Sequence, residues 1–203
     1  MIDKICTFLT KRIQKEMPEI DKEKAEIINY GLQNIIGEIP KIILLFVISW
    51  LLGVLKEVVF MFIVLSPYRG ASGGFHLKTH MGCLIGTTIF YCGVAFLSKN
   101  LVLEESIKYL LIAGVWIFGM IMIKLYAPAD TENVPILSKK ERKKKQIMSY
   151  LTFTIGMLAS IFIKNNVISN ILIFGNLLQT INITKLAYKI TKNKYGYEVY
   201  GLG

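Results

Sequence analysis

Six apolar runs separated by short polar gaps set the pattern of this chain: residues 39–55, 58–67, 81–97, 107–127, 147–163 and 167–184. A helix that crosses a bilayer needs ~20 mostly apolar residues, with a range of ~17–25. The second run, at about ten residues, falls short of that span and must borrow flanking residues or re-enter the face it left. Lys56-Glu57 marks a tight turn between the first two runs, and Lys164-Asn165-Asn166 a short hairpin between the last two.

Residues 1–37 follow a different pattern. Ile2, Ile5, Phe8, Leu9 and Ile13 recur at helical spacing opposite Lys4, Lys11, Arg12 and Lys15. Pro18 breaks the period, and a second amphipathic helix is expected from about Asp21 to Ile36. A basic amphipathic helix suits the inner membrane interface; a small helical cap on the cytoplasmic side reads equally well. The expected architecture is an all-α integral membrane protein of about six membrane-embedded helices, the second short or re-entrant. It divides into interfacial helices (1–37), a helix bundle (38–184) and a basic cytoplasmic tail (185–203), all one domain.

Composition agrees. The 203 residues are 53% hydrophobic and 19% charged, with mean hydropathy +0.50. The net charge of +10 is unevenly placed. With both termini inside and six crossings, the outer connections hold only Lys56, Lys99, Lys108 and Lys164 of the 24 basic residues. The strongest marker is LSKKERKKKQ at 137–146, with Lys139, Lys140, Arg142, Lys143, Lys144 and Lys145 against Glu141 alone. Inverting the protein would place that block outside, against the positive-inside tendency. Such placement fits a membrane face better than a nucleic-acid groove, and no nucleic-acid-binding motif is present. The three cysteines form no secreted disulfide framework, and the charged N-terminus has no signal-peptide core.

The polar gap SPYRGASGGFHLKTHMGC, residues 66–83, then stands out on the cytoplasmic side. It gathers both histidines, His76 and His80, one cysteine, Cys83, and a Gly-Gly pair. A cysteine at the start of a membrane helix is ordinarily a small buried hydrophobe, and Cys6 and Cys92 keep that reading. Cys83 differs because Arg69, His76, Lys78 and His80 are close in sequence. Positive neighbours and a helix N-terminus favour a reactive thiolate at such a place. A histidine can act as base toward the thiol and as acid toward a leaving amine.

On an unbroken helix His80 and Cys83 would be neighbours, ~5–6 Å between Cβ atoms. His76 would lie ~10.5 Å away along the axis. Spacing alone favours His80. His76 qualifies only if the chain bends between 76 and 83, which Gly73-Gly74 as a turn and Thr79 as a helix cap would permit. His76, His80 and Cys83 also have the spacing H-x3-H-x2-C, which a zinc ion would accept with Asp130 or water as the fourth ligand. No fourth His or Cys is close, so no metal and no other cofactor is expected.

These residues resemble the AgrB family, accessory gene regulator protein B of bacterial quorum sensing. The family pattern of an Arg, then Gly-Gly-x-His, then a Cys seven residues on reads here as Arg69, Gly73-Gly74-Phe75-His76 and Cys83. A second match is APADTENVPI at 127–136, followed by the basic block. The resemblance implies a membrane cysteine endopeptidase that cuts the C-terminal part from a precursor peptide, AgrD, on the way to a cyclic thiolactone. It implies Cys83 as nucleophile and His76, not His80, as general base. It implies a multi-pass protein of the bacterial cell membrane, with its site at the cytoplasmic face and a propeptide and lipids as partners.

Supporting roles stay open at this point. Gly73 and Gly74 either let backbone amides approach an oxyanion or form a plain turn. Arg69 either pairs a substrate carboxylate or marks the inner interface. Asp130 either orients His76 or binds a local Lys or Arg, the second being the stronger reading; Glu38 is a weaker candidate orienter. Topology and attraction to anionic lipid explain the block including Lys139, Lys140, Arg142 and Lys143 without a substrate; a further expectation is that it helps collect an acidic precursor tail. A peptide exporter or a non-catalytic partner of a sensor are the competing functions. Polar residues within the runs are sparse, with Lys124 near an end and Asn176, Gln179 and Asn182 in the last. Gly114 to Gly119 offers a packing surface for a homodimer.

Overall fold

The structure is a computed structural model. It describes residues 2–201 save Pro18, Lys78 and Asn133, and gives only the backbone of residues 2–4, 23, 30, 34, 35 and 80. The break expected at Pro18, the charge expected from Lys78 and the side chains of Ile2, Lys4 and His80 therefore lie outside the described residues. The described chain is helical, without a β-strand, and divides into two compact units, residues 1–48 and 49–203.

The first unit holds α1 (Ile2–Glu16) and most of α2 (Lys22–Leu51). Thr10 Oγ1 donates to Cys6 O at 2.9 Å and to Asn29 Oδ1 at 3.3 Å, tying the two helices together. The sequence pattern places one helix to about Ile36 and a separate apolar run from 39. Instead, α2 continues through Pro40 as a single helix. Proline removes one backbone hydrogen bond, but an apolar stretch in lipid has no alternative to helical pairing for the rest of its backbone.

In the second unit, α3 (Leu55–Ser72), α4 (His80–Asn100), α5 (Glu105–Tyr126), α6 (Lys139–Phe162) and α7 (Asn166–Asn182) form a bundle. Two short helices follow, α8 (Lys185–Ile190) and α9 (Gly196–Val199). The short second run thus belongs to an 18-residue helix, α3, which takes in Leu55–Glu57 and Tyr68–Ser72. The middle helix is α7, packed against α3, α4, α5 and α6. Close approach there depends on small residues. A Cβ on Gly119 would sit 2.0 Å from the Phe153 ring, and one on Gly175 would sit 2.8 Å from Leu65 Cδ1. The core around them includes Tyr68, Ile112, Ile123, Phe153, Met157 and Ile173.

Side-chain caps set several starts: Thr79 accepts from Gly82 N, Ser138 from Glu141 N, Asn165 from Ile168 N and Thr184 from Ala187 N. Among the described residues, three helical stretches are long and apolar enough to cross a membrane, Lys24–Leu51, Met81–Asn100 and Glu105–Tyr126. That is fewer than the six apolar runs, because α3 carries Lys56, Glu57 and Arg69, α6 opens on the basic block, and α7 has only 17 residues.

Candidate functional site

Helix α3 stops at Ser72 because Gly73 leaves the helical region, with φ 73° and ψ −147°. Gly74, at φ 140°, continues the turn. Residues 74–77 then run without regular structure, and α4 begins at His80 behind the Thr79 cap. The chain from 76 to 83 is therefore not one helix. Leu77 folds back over the start of α4: ideal Cβ atoms on Gly82 and Gly86 would lie 3.7 Å from Leu77 Cβ and 3.0 Å from Leu77 Cδ1, respectively. Cys83 lies between those glycines in sequence, its amide donating to Thr79 O at 2.9 Å. It is a free, half-buried thiol in the opening turn of the helix. His76 is exposed, and its carbonyl accepts from Asn193 Nδ2 at 2.9 Å.

Two other parts of the chain hold the glycine turn. On one side lies the Ala127–Asp130 loop. Gly73 and Ala129 form a parallel bridge, with Gly74 N donating to Ala129 O at 2.9 Å and Ala129 N to Ser72 O at 2.8 Å. On the other side lies Gln179 of α7. Its Nε2 donates to Gly73 O at 2.9 Å and to Ser72 Oγ at 3.1 Å, while its Oε1 accepts from Arg69 Nη1 at 3.1 Å. Arg69 is thus held beside the turn by a neutral amide.

Asp130 binds Arg142. Oδ2 accepts from Arg142 Nη1 at 2.8 Å and from the Ile136 amide at 2.9 Å. The carboxylate is 1% exposed and Oδ1 has no hydrogen-bond partner among the described residues. Arg142 Nη2 also donates to Pro128 O at 3.3 Å, and its guanidinium lies 4.8 Å over the Tyr197 ring. Lys139, Lys140 and Lys143 are exposed around it. Tyr188 OH donates to Ala129 O at 2.8 Å and to Asp130 O at 3.2 Å. Burial pushes the Tyr188 and Tyr195 phenols up, so both remain protonated donors. Among the described residues no group of His, Cys, Asp and Glu is placed to hold a metal ion.

The profile of the family described as accessory gene regulator B matches residues 6–183. The chain belongs to the AgrB family. It is 26% identical over 187 residues to an AgrB-like protein of Clostridium acetobutylicum, covering 92% of this chain and 85% of that one. An AgrB-like protein of Listeria innocua is 26% identical over 189 residues, covering 93% and 91%. One of Clostridium perfringens is 28% identical over 165 residues, covering 79% and 76%. No solved structure matches the chain.

Membership of the AgrB family, with three apolar helices, makes this a membrane protein associated with the accessory gene regulator system. Within the AgrB chain the two motifs named from sequence, Gly-Gly-x-His and Ala-Pro-Ala-Asp, meet through backbone hydrogen bonds. In sequence Gln179 is one of the sparse polar residues of the last apolar run, and nothing local assigns it to the turn. Its signal is a buried amide in an apolar run, which must find partners. Leu77, Tyr188 and Asn193 are likewise unassigned from sequence. Tyr188 and Asn193 fall in the region that the sequence pattern reads as a basic tail, where aromatic spacing (Tyr188, Tyr195, Tyr197, Tyr200) is the available sign of packing.

Proposed function

We propose that this AgrB-family protein is a membrane-embedded cysteine endopeptidase acting at the cytoplasmic face on an AgrD-like propeptide. The observation that carries the reading is the broken segment before α4. It returns along the helix that presents Cys83, with Leu77 seated beside Gly82 and Gly86. A bend of this kind is what pairing His76 with Cys83 requires.

In the proposed reaction His76 takes the Cys83 Sγ proton as Sγ attacks the scissile carbonyl carbon. The negative charge moves to the carbonyl oxygen. As the intermediate collapses, the C–N bond breaks and the imidazolium returns its proton to the leaving amine. The C-terminal fragment departs and the N-terminal part stays on Cys83 as a thioester. A cysteine thiol of the precursor then attacks that carbonyl, giving up its proton through His76 to the departing Cys83 sulfur. The new thioester closes a thiolactone ring. Thioester exchange is nearly balanced in bond energy, so exclusion of water from the acyl-enzyme decides between cyclisation and hydrolysis. A site at the membrane edge serves that end. The exposed lysines at 139, 140 and 143 suit an acidic precursor tail.

The exporter reading draws less support. The polar side chains of the central helix are engaged inside the bundle: Ser169 with Ser160 O, Asn170 with Leu101 O, Asn176 with Leu172 O and Thr180 with Tyr68.

Co-expression with the propeptide tests the proposal. Cys83→Ser abolishes cleavage, and His76→Ala lowers it by about 10²–10⁴-fold, the usual worth of a general base. His80→Ala leaves it within a few-fold of native. A hydroxylamine-labile adduct between propeptide and Cys83 marks the thioester. Cleavage that survives Cys83→Ser at normal membrane levels would sink the assignment.

A further inference from the structure

The geometry points to Asn193 as a positioning residue for His76, carried by residues 185–200 as a clasp over the site. The inference rests on the peptidase reading above. This segment lies beyond residue 183, where the family profile ends. It is nevertheless fixed to both site motifs.

The clasp has three anchors on the Ala-Pro-Ala-Asp loop and its surroundings. Tyr188 donates to the carbonyls of Ala129 and Asp130. Thr131 bridges Tyr195, whose hydroxyl donates to Ile183 O at 2.8 Å. The Tyr188 and Tyr195 rings stack at 4.0 Å, and Tyr197 lies under Arg142. The same loop holds Gly73 through its backbone bridge. The clasp is therefore built on the frame that shapes the Gly-Gly turn.

Asn193 extends that frame to the histidine. Its Nδ2 donates to His76 O at 2.9 Å and to Thr191 Oγ1 at 2.9 Å, while its amide donates to Tyr188 O at 2.9 Å. The residue before it, Lys192, has φ 56°, a left-handed conformation uncommon outside glycine and asparagine. Such strain persists where surrounding contacts over-determine it. His76 lies in a stretch without regular structure, so the helical ladder that fixes a backbone elsewhere is absent. The Gly-Gly bridge holds this stretch before His76, Leu77 holds it after, and Asn193 holds the histidine's own carbonyl. Losing that contact lets the imidazole drift relative to Cys83 Sγ, and a displacement of about an ångström is enough to cost a reaction heavily.

The test uses the full chain in proteoliposomes with a synthetic propeptide. Asn193→Ala and the isosteric Asn193→Asp lower kcat by on the order of tenfold to a hundredfold, with KM within about twofold. Both slow iodoacetamide alkylation of Cys83, mapped by peptide mass spectrometry, in the same direction as His76→Ala. Asn193→Gln, which keeps the donor, recovers part of both. The proposal is overturned if Asn193→Ala and Asn193→Asp keep native kcat, or if activity falls only in proportion to folded protein, with Asn193→Gln no better. A native rate in His76→Ala would instead remove the dyad itself, and the positioning role with it.

Discussion

At the scale of single residues, Gly73 is the most constrained position of the site. Its φ of 73° with ψ of −147° is open to glycine and few others. A Cβ there would also sit 2.3 Å from Ala129 O, a backbone atom that cannot swing away. Gly73→Ala is therefore expected to break the bridge to the Ala-Pro-Ala-Asp loop and to cut propeptide cleavage by at least about a hundredfold, since the misplacement reaches the reacting groups. Gly53→Ala is the control. Its φ is also positive, at 68°, but nothing lies within 4 Å of the new Cβ, so the cost is about 1–2 kcal/mol and cleavage continues. Equal loss in both variants would count against a special role for the Gly73 bridge. The Gly-Gly pair and the Thr79 cap were legible in sequence because their chemistry is local. The reason Gly73 cannot be another residue was not, because the clashing atom belongs to residue 129 and no local pattern names it.

At the scale of elements, α6 is tied to the loop before it by Arg142. In sequence the six like charges at 139–145 read alike. The fold separates them: Lys140 and Lys143 are exposed, whereas Arg142 is 15% exposed, pairs with a carboxylate 1% exposed and lies over Tyr197. A charge run carries no mark of which member turns inward, whereas Asp130 twelve residues upstream was at least a candidate partner. Arg142→Ala leaves the Asp130 carboxylate buried without its cation. Breaking a buried pair costs about 3–5 kcal/mol, toward the lower end here because the guanidinium is partly wet. Arg142→Lys keeps the charge but loses the bond to Pro128 O and the planar contact with Tyr197, so it recovers only part. Lys140→Ala stays within about 0.5 kcal/mol of native. Thermal unfolding in detergent measures all three, and a neutral Arg142→Ala would show that the loop is held by other means.

At the scale of the whole molecule, the hydrogen bonds within the second unit bear on how many helices cross the bilayer. At one end of its bundle Lys99 Nζ donates to Gly53 O and Asn170 Nδ2 to Leu101 O. At the other, Gln179 meets Gly73 and Gly73 meets Ala129. Helices α3 and α7 thus meet at both ends, with the end of α4 joining them at the first and the loop after α5 at the second, and α6 packs against α3, α5 and α7. Since α4 and α5 are long and apolar enough to span, helices packed along them are expected at the same depth. The 18 residues of α3 and 17 of α7 rise about 25–27 Å, close to a ~30 Å hydrocarbon core. The expectation is six crossings with the basic block inside. It is checked with single cysteines at Lys143→Cys and Lys164→Cys in a background of Cys6→Ser, Cys83→Ser and Cys92→Ser, probed in intact cells with a membrane-impermeant maleimide. Six crossings place position 164 outside and position 143 inside, so only Lys164→Cys is labelled until the cells are opened. If only the three most apolar stretches crossed, α6 would not, and the two positions would share one side. Labelling of both, or of neither, would therefore reject the six-helix embedding, and labelling of position 143 alone would invert it and move Cys83 to the outer face.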